Sequence, residues 1–165
     1  SKTDEMDSEH FEVKDTKSSF HMVLLAGAAL GFIMAYLINV YPVILESKMV
    51  GSSFDFHIEL SISIVLALTA ICAFFIAKRI GQYEKPKLLL ISFFGSLMAL
   101  FSFYLLPGVF SFLGISILIP CLAALSVTGF PLAISNASTK DKMFAAGLFI
   151  AAMEIPDSAL EIIMG

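Results

Sequence analysis

The chain has 165 residues, of which 58% are hydrophobic and 15% charged, with mean hydropathy +0.91 and a formal net charge of −4. A soluble domain is nearer 45–50% apolar and about 25% charged, so a water-soluble globular domain is excluded. No basic stripe marks a nucleic-acid surface, and none is expected as a partner. The apolar residues lie in long runs: no Asp, Glu, Lys, Arg or His occurs over Met22–Leu45 (24 residues), Leu60–Ala77 (18) or Leu88–Thr139 (52). About 20 apolar residues in a helix cross the roughly 30 Å hydrocarbon core of a bilayer. The first two runs are one span each and the third is long enough for two. Continuous runs of this length also exclude a barrel of alternating strands.

Residues 1–19 are polar and densely charged. They read as a solvated linker, without the apolar stretch of a signal peptide. The first residue is not Met, and the expectation is a fragment of a longer protein. The first helix is expected over about 20–45, with Gly27 and Gly31 forming a small-xxx-small pair for close helix contact. Asn39, Tyr41 and Pro42 lie near its end. A loop over 46–56 precedes a second helix at about 53–77.

The segment Lys78-Arg79-Ile80-Gly81-Gln82-Tyr83-Glu84-Lys85-Pro86-Lys87 reads as a short basic loop stopped by Gly and Pro. The third helix is expected over 86–106, with Pro86 in its first turn. Pro107-Gly108 makes a tight turn into a fourth helix, 109–135. A polar loop over Asn136–Lys142 leads to a fifth helix, 143–165. The expected class is therefore all-α, a polytopic membrane bundle of five helices. Cys72 and Cys121 sit inside apolar runs and read as inert buried thiols, not a disulfide.

The fifth helix carries the chemistry. Glu154, Asp157 and Glu161 are three and four residues apart and share one helix face. Glu154 lies about 16 Å along the helix from Met143, near the midplane. An ionised carboxylate there is unfavourable by a few kcal/mol unless it meets water or a partner. Such a group is a candidate for substrate binding or proton coupling, and Glu154 and Asp157 are the leading residues. Glu161 reaches towards the surface. Pro156 should free a backbone carbonyl beside them and kink the helix. Asn39 and Tyr41 are further candidates. The hydroxyls of Ser126, Thr128 and Ser135 are expected to bond their own helix or a neighbour, as is Asn136. His57 and Glu59 read as a solvated outer interface. No metal-ligand spacing, nucleophile set or nucleotide motif appears, so neither an enzyme nor a cofactor is expected.

Tyr41-Pro42-Val43-Ile44 in the first helix is echoed by Phe130-Pro131-Leu132-Ala133 in the fourth, as an inverted repeat of three helices would give. With this organisation, Arg79-Ile80-Gly81-Gln82 resembles the Arg-x-Gly core of the loop after helix eight in the major facilitator superfamily. Lys78 stands where that family has Asp, and Gln82 and Tyr83 replace its later basic positions. The resemblance covers most of the chain, as helices seven to eleven after a central linker. It implies half of a major facilitator fold, with alternating access and with Arg79 and Gly81 in an inner-face gating loop. The expected partners are the lipid bilayer, the N-terminal half of the same protein and, on the leading reading of a transporter, a small polar solute; nine Lys to one Arg, abundant Phe and no Trp point to a bacterial inner membrane, a cell membrane. The competing reading is a non-transporting assembly or receptor-like module of the same fold. The surroundings of Glu154 discriminate the two: a wet cavity for a transporter, a dry helix contact for a module.

With five spans, nine of the ten Lys and Arg residues fall on one side and only Lys48 on the other. Positive loops stay in the cytoplasm, so the tail and both basic loops are placed there. Cysteines introduced at Lys85 or Lys140 in intact cells are accordingly expected to resist an impermeant thiol reagent. Labelling of either from outside overturns the topology.

Overall fold

The computed structural model describes residues 19–50, 57–82, 84–135 and 137–165. The expected polar linker lies outside them apart from Ser19, as do residues 51–56, Tyr83 and Asn136. Five helices are long and apolar enough to cross a membrane, and the chain is a multi-pass, all-α helical bundle. They are α1 (Phe20–Met49), α2 (Ile58–Gln82), α3 (Lys85–Leu105), α4 (Gly108–Ser135) and α5 (Lys142–Met164). The last turn of α2, Ile80–Gln82, and the first of α4, Gly108–Phe110, are 3₁₀. No strand occurs among the described residues.

The ends of α3, α4 and α5 fall within one or two residues of the expected ones, the ordinary fraying range. Helix α2 is described from Ile58 and runs to Gln82, five residues past the expected Ala77, because its basic end continues as a helical turn up to Gln82. Helix α1 runs four residues past the expected Leu45. Its Glu46–Met49 turn has no helix breaker before Gly51. It is also tied down, because the Lys48 ammonium donates to the carbonyls of Leu106 (2.6 Å) and Tyr104 (3.3 Å). Those carbonyls belong to the end of α3, where a helix leaves acceptors without partners and favours a cation. The turn between α3 and α4 rests on Gly108, at φ +57°, a backbone that side chains disfavour.

Helix α4 is the hub. It lies along α3 and contacts α2, α1 and α5. The other extensive pairing is α1 with α5, and these two run parallel. Their contacts climb in step: Phe20 edge-on to Phe144, Gly27 on Phe149 and Ala152, Gly31 on Met153, and Asn39 on Asp157. The two glycines do what their spacing predicts. A Cβ on Gly27 would stand 2.6 Å from the Phe149 carbonyl oxygen, and one on Gly31 would collide with the backbone of Met153. Between α3 and α4, Gly114 lies against Ala99 and Phe103 in the same way, its Cβ position 2.7 Å from the Ala99 carbonyl oxygen.

Polar side chains inside the bundle turn back on their own helices. Thr69, Ser92, Ser96, Ser126 and Thr128 each donate to the carbonyl four residues earlier, and Ser135 to the one three earlier. Both cysteines are free thiols, and they are half-buried where full burial was expected. Cys121 is held by close contact with Gly95 of α3.

Gly27→Leu and Gly31→Leu are each expected to abolish most folded protein, because the α1–α5 contact is backbone to backbone and cannot move aside. Wild-type yield and melting temperature for both in detergent would show that α1 and α5 are not in this contact.

Candidate functional site

The site grows out of an irregularity in α1. The helix is α-helical over Phe20–Ala35 and Tyr41–Met49, and between them Tyr36–Val40 form a π-turn. The Tyr41 N–H reaches the Tyr36 carbonyl, five residues back. Pro42 follows with no N–H to donate. The α-helical donors to the carbonyls of Leu37 and Ile38 are therefore absent. π-turns of this kind are rare and gather at functional sites.

Asn39 occupies this turn. Its amide donates to the Ala35 carbonyl (3.1 Å) and to Asp157 Oδ1 on α5 (2.8 Å). The bond to Asp157 is a side-chain bridge between the two parallel helices, and Asp157 is half-buried beneath it. Two of the expected site residues are thus brought together. Asp157 lies about 22 Å along α5 from Lys142, in the half of the span away from the basic loops.

The other candidates go elsewhere. Tyr41 is buried on a different face, where its hydroxyl shares a 2.7 Å hydrogen bond with Ser61 of α2 and its ring lies 5.0 Å from that of Phe103. It fastens α1 to α2 and does not join Asn39. Glu154 is exposed and has no hydrogen-bond or ion-pair partner among the described residues; Glu161 is exposed as well. Arg79 ends the α-helical part of α2, exposed and without an ion pair among the described residues. Gly81 sits in the 3₁₀ turn with nothing within 4 Å of its Cβ position and without positive φ, so this backbone does not require glycine. Pro156 lies inside an unbroken α5. His57 and Glu59 are both exposed.

Two faces of α5 are distinct. Pro156 lines an apolar groove of about 640 Å³ whose walls are α1 residues such as Leu25 and Phe32 and α3 residues such as Leu90 and Phe93. Residues two apart on a helix point about 200° apart, so Glu154 projects from the opposite side. Asp157 lies between, against α1. Both carboxylates therefore avoid the apolar groove, Asp157 turned to α1 and Glu154 to the far side of α5.

Sequence reasoning missed the π-turn and its pairing of Asn39 with Asp157. Pro42, three residues beyond Asn39, was the available signal. It also missed Lys48, whose capping role depends on where α3 ends in space. The aromatic-Pro echo does not produce matching surroundings: Tyr41 is buried and hydrogen-bonded, whereas Phe130 is 41% exposed and edge-on to Phe149. Comparison with known families, with curated proteins and with solved structures gives no match for this chain.

Asn39→Ala and Asp157→Ala should couple. Removing either leaves the other polar group without its partner, and a double-mutant cycle on thermal stability is expected to return a coupling of about 1 kcal/mol. Tyr41→Phe should be additive with both. A coupling near zero for Asn39 and Asp157 would show that the bridge does not form.

Proposed function

We propose that the chain is part of a secondary active transporter of the major facilitator type, moving a small polar solute by alternating access and coupled to protons through Asp157. The observation that carries this reading is the Asn39–Asp157 bridge at the π-turn. A carboxylate at membrane depth is strongly unfavourable without a partner. This one is paired with an amide on a segment of α1 whose hydrogen-bond ladder is already displaced. An amide bonds more strongly to a carboxylate than to a neutral acid. Protonation of Asp157 would weaken the clasp between α1 and α5 at that segment, and deprotonation would restore it. A proton taken up from one side and released to the other would then drive the helices between two arrangements.

Two further observations support the reading. Glu154 is exposed on the side of α5 away from the apolar groove and is not engaged with another helix, as a carboxyl bordering a wet cavity would be. A dry structural contact, which a non-transporting module would call for, does not involve it. In addition, the pairing of α1 with α5 and of α2 with α4 is interchanged when each helix is replaced by the one three away. Two inverted units of three helices would give that pattern.

In the full-length protein, Asp157→Asn should abolish proton-driven accumulation of solute while leaving the fold and solute exchange intact, since Asn keeps the shape and removes the titration. Glu154→Gln should lower accumulation less. Normal accumulation by both variants under a proton gradient alone would refute the coupling role.

A further inference from the structure

The inner half of α2 carries a feature that the transport reading does not use. Helix α2 meets the bundle along a narrow stripe, Ser61, Val65 and Thr69, the only residues of the helix that are buried. A second stripe at helical spacing, Ile64, Leu68, Ile71 and Phe75, is exposed throughout, from 43% to 62%. It leads along the helix to Lys78 and Arg79, which follow Phe75 by three and four residues and so flank the same line.

Phe75, Ile76, Lys78 and Arg79 enclose a surface pocket of about 630 Å³. The Lys78 ammonium stands 4.4 Å from the centre of the Phe74 ring, which holds the charge at the edge of the apolar surface. Neither cation has a carboxylate partner among the described residues. The nearby Lys87 does, pairing with Glu84 at 2.5 Å.

From this geometry we infer that the pocket binds the headgroup of an anionic phospholipid, with an acyl chain lying along Ile64, Leu68, Ile71 and Phe75. Charge complementarity selects the occupant. Two cations without a carboxylate partner among the described residues sit where a continuous apolar stripe ends, at the basic end of the bundle, and a phosphodiester attached to hydrocarbon matches both parts. Each cation near a membrane surface attracts anionic lipid electrostatically. A zwitterionic lipid, whose own ammonium offsets its phosphate, gains far less. A second protein surface would need carboxylates aligned with an apolar stripe.

The test uses the full-length protein in nanodiscs carrying Phe75→Trp, with acyl-brominated phosphatidylglycerol or acyl-brominated phosphatidylcholine as quencher in a background of unbrominated phosphatidylcholine. Phosphatidylglycerol is expected to quench at concentrations about tenfold lower than phosphatidylcholine. Lys78→Gln with Arg79→Gln should remove that preference, and Lys85→Gln with Lys87→Gln should leave most of it. Equal quenching by the two lipids overturns the inference, as does a preference that survives loss of both Lys78 and Arg79. A photo-crosslinker at Phe75 that captures protein and no lipid also overturns it, by showing the stripe to be a protein interface. If the double variant does not fold, comparison of the two lipids on the Phe75→Trp protein alone still decides. None of these outcomes depends on transport, so the site stands or falls independently of the coupling role of Asp157.

Discussion

Hydrocarbon offers no hydrogen bonds, so every polar group that enters it must find a partner within the protein. The architecture of this chain follows from that requirement. Its spans are helices because a helix satisfies its own backbone. Thr69, Ser92, Ser96, Ser126, Thr128 and Ser135 fold back onto carbonyls one turn earlier, Ser61 pairs with Tyr41, and among the described residues no buried side-chain nitrogen or oxygen lacks a partner. Where a helix ends, the same rule draws in Lys48 to bond the last carbonyls of α3. Where a helix is irregular, it draws the Asn39 amide onto the Ala35 carbonyl and the Asp157 carboxylate.

Packing then depends on what is small. With polar groups satisfied locally, the helices associate by close contact, and close contact needs missing side chains. Gly27 and Gly31 let α1 reach the backbone of α5, and Gly114 lets α4 reach that of α3. These contacts fix the register of the parallel pair α1 and α5, and that register places Asn39 opposite Asp157. The glycines near the start of α1 therefore position a hydrogen bond more than two turns further along.

The sequence made the spans legible because hydropathy is a local property, summed over about 20 residues. The glycine pair was legible because a missing side chain carries its meaning in any context. The acidic face of α5 was visible for the same reason, since spacing alone sets a helix face. What could not be read was partnership. Asn39 and Tyr41 are two residues apart and looked alike as polar groups near a helix end. One faces α5 and the other α2, and only the packed bundle separates them. Arg79 and Gly81 were visible as a basic turn, but the conformation of Gly81 and the lack of a carboxylate beside Arg79 among the described residues emerge only in three dimensions.

The π-turn has a consequence for how α1 is read as a cylinder. One extra residue in a turn advances the helical phase by about 100°. The two parts of α1 therefore present different azimuths to the bundle, the first directing its glycines at α5 and the second directing Tyr41 at Ser61 and Phe103. Converting Tyr36–Val40 to a plain α-turn with every residue kept would rotate everything beyond it by that angle, as slipping one tooth turns a gear. Tyr41 and Lys48 would then point away from their partners while every apolar residue stayed apolar. Hydropathy is indifferent to such a change, yet the end of the bundle away from the basic loops depends on its absence.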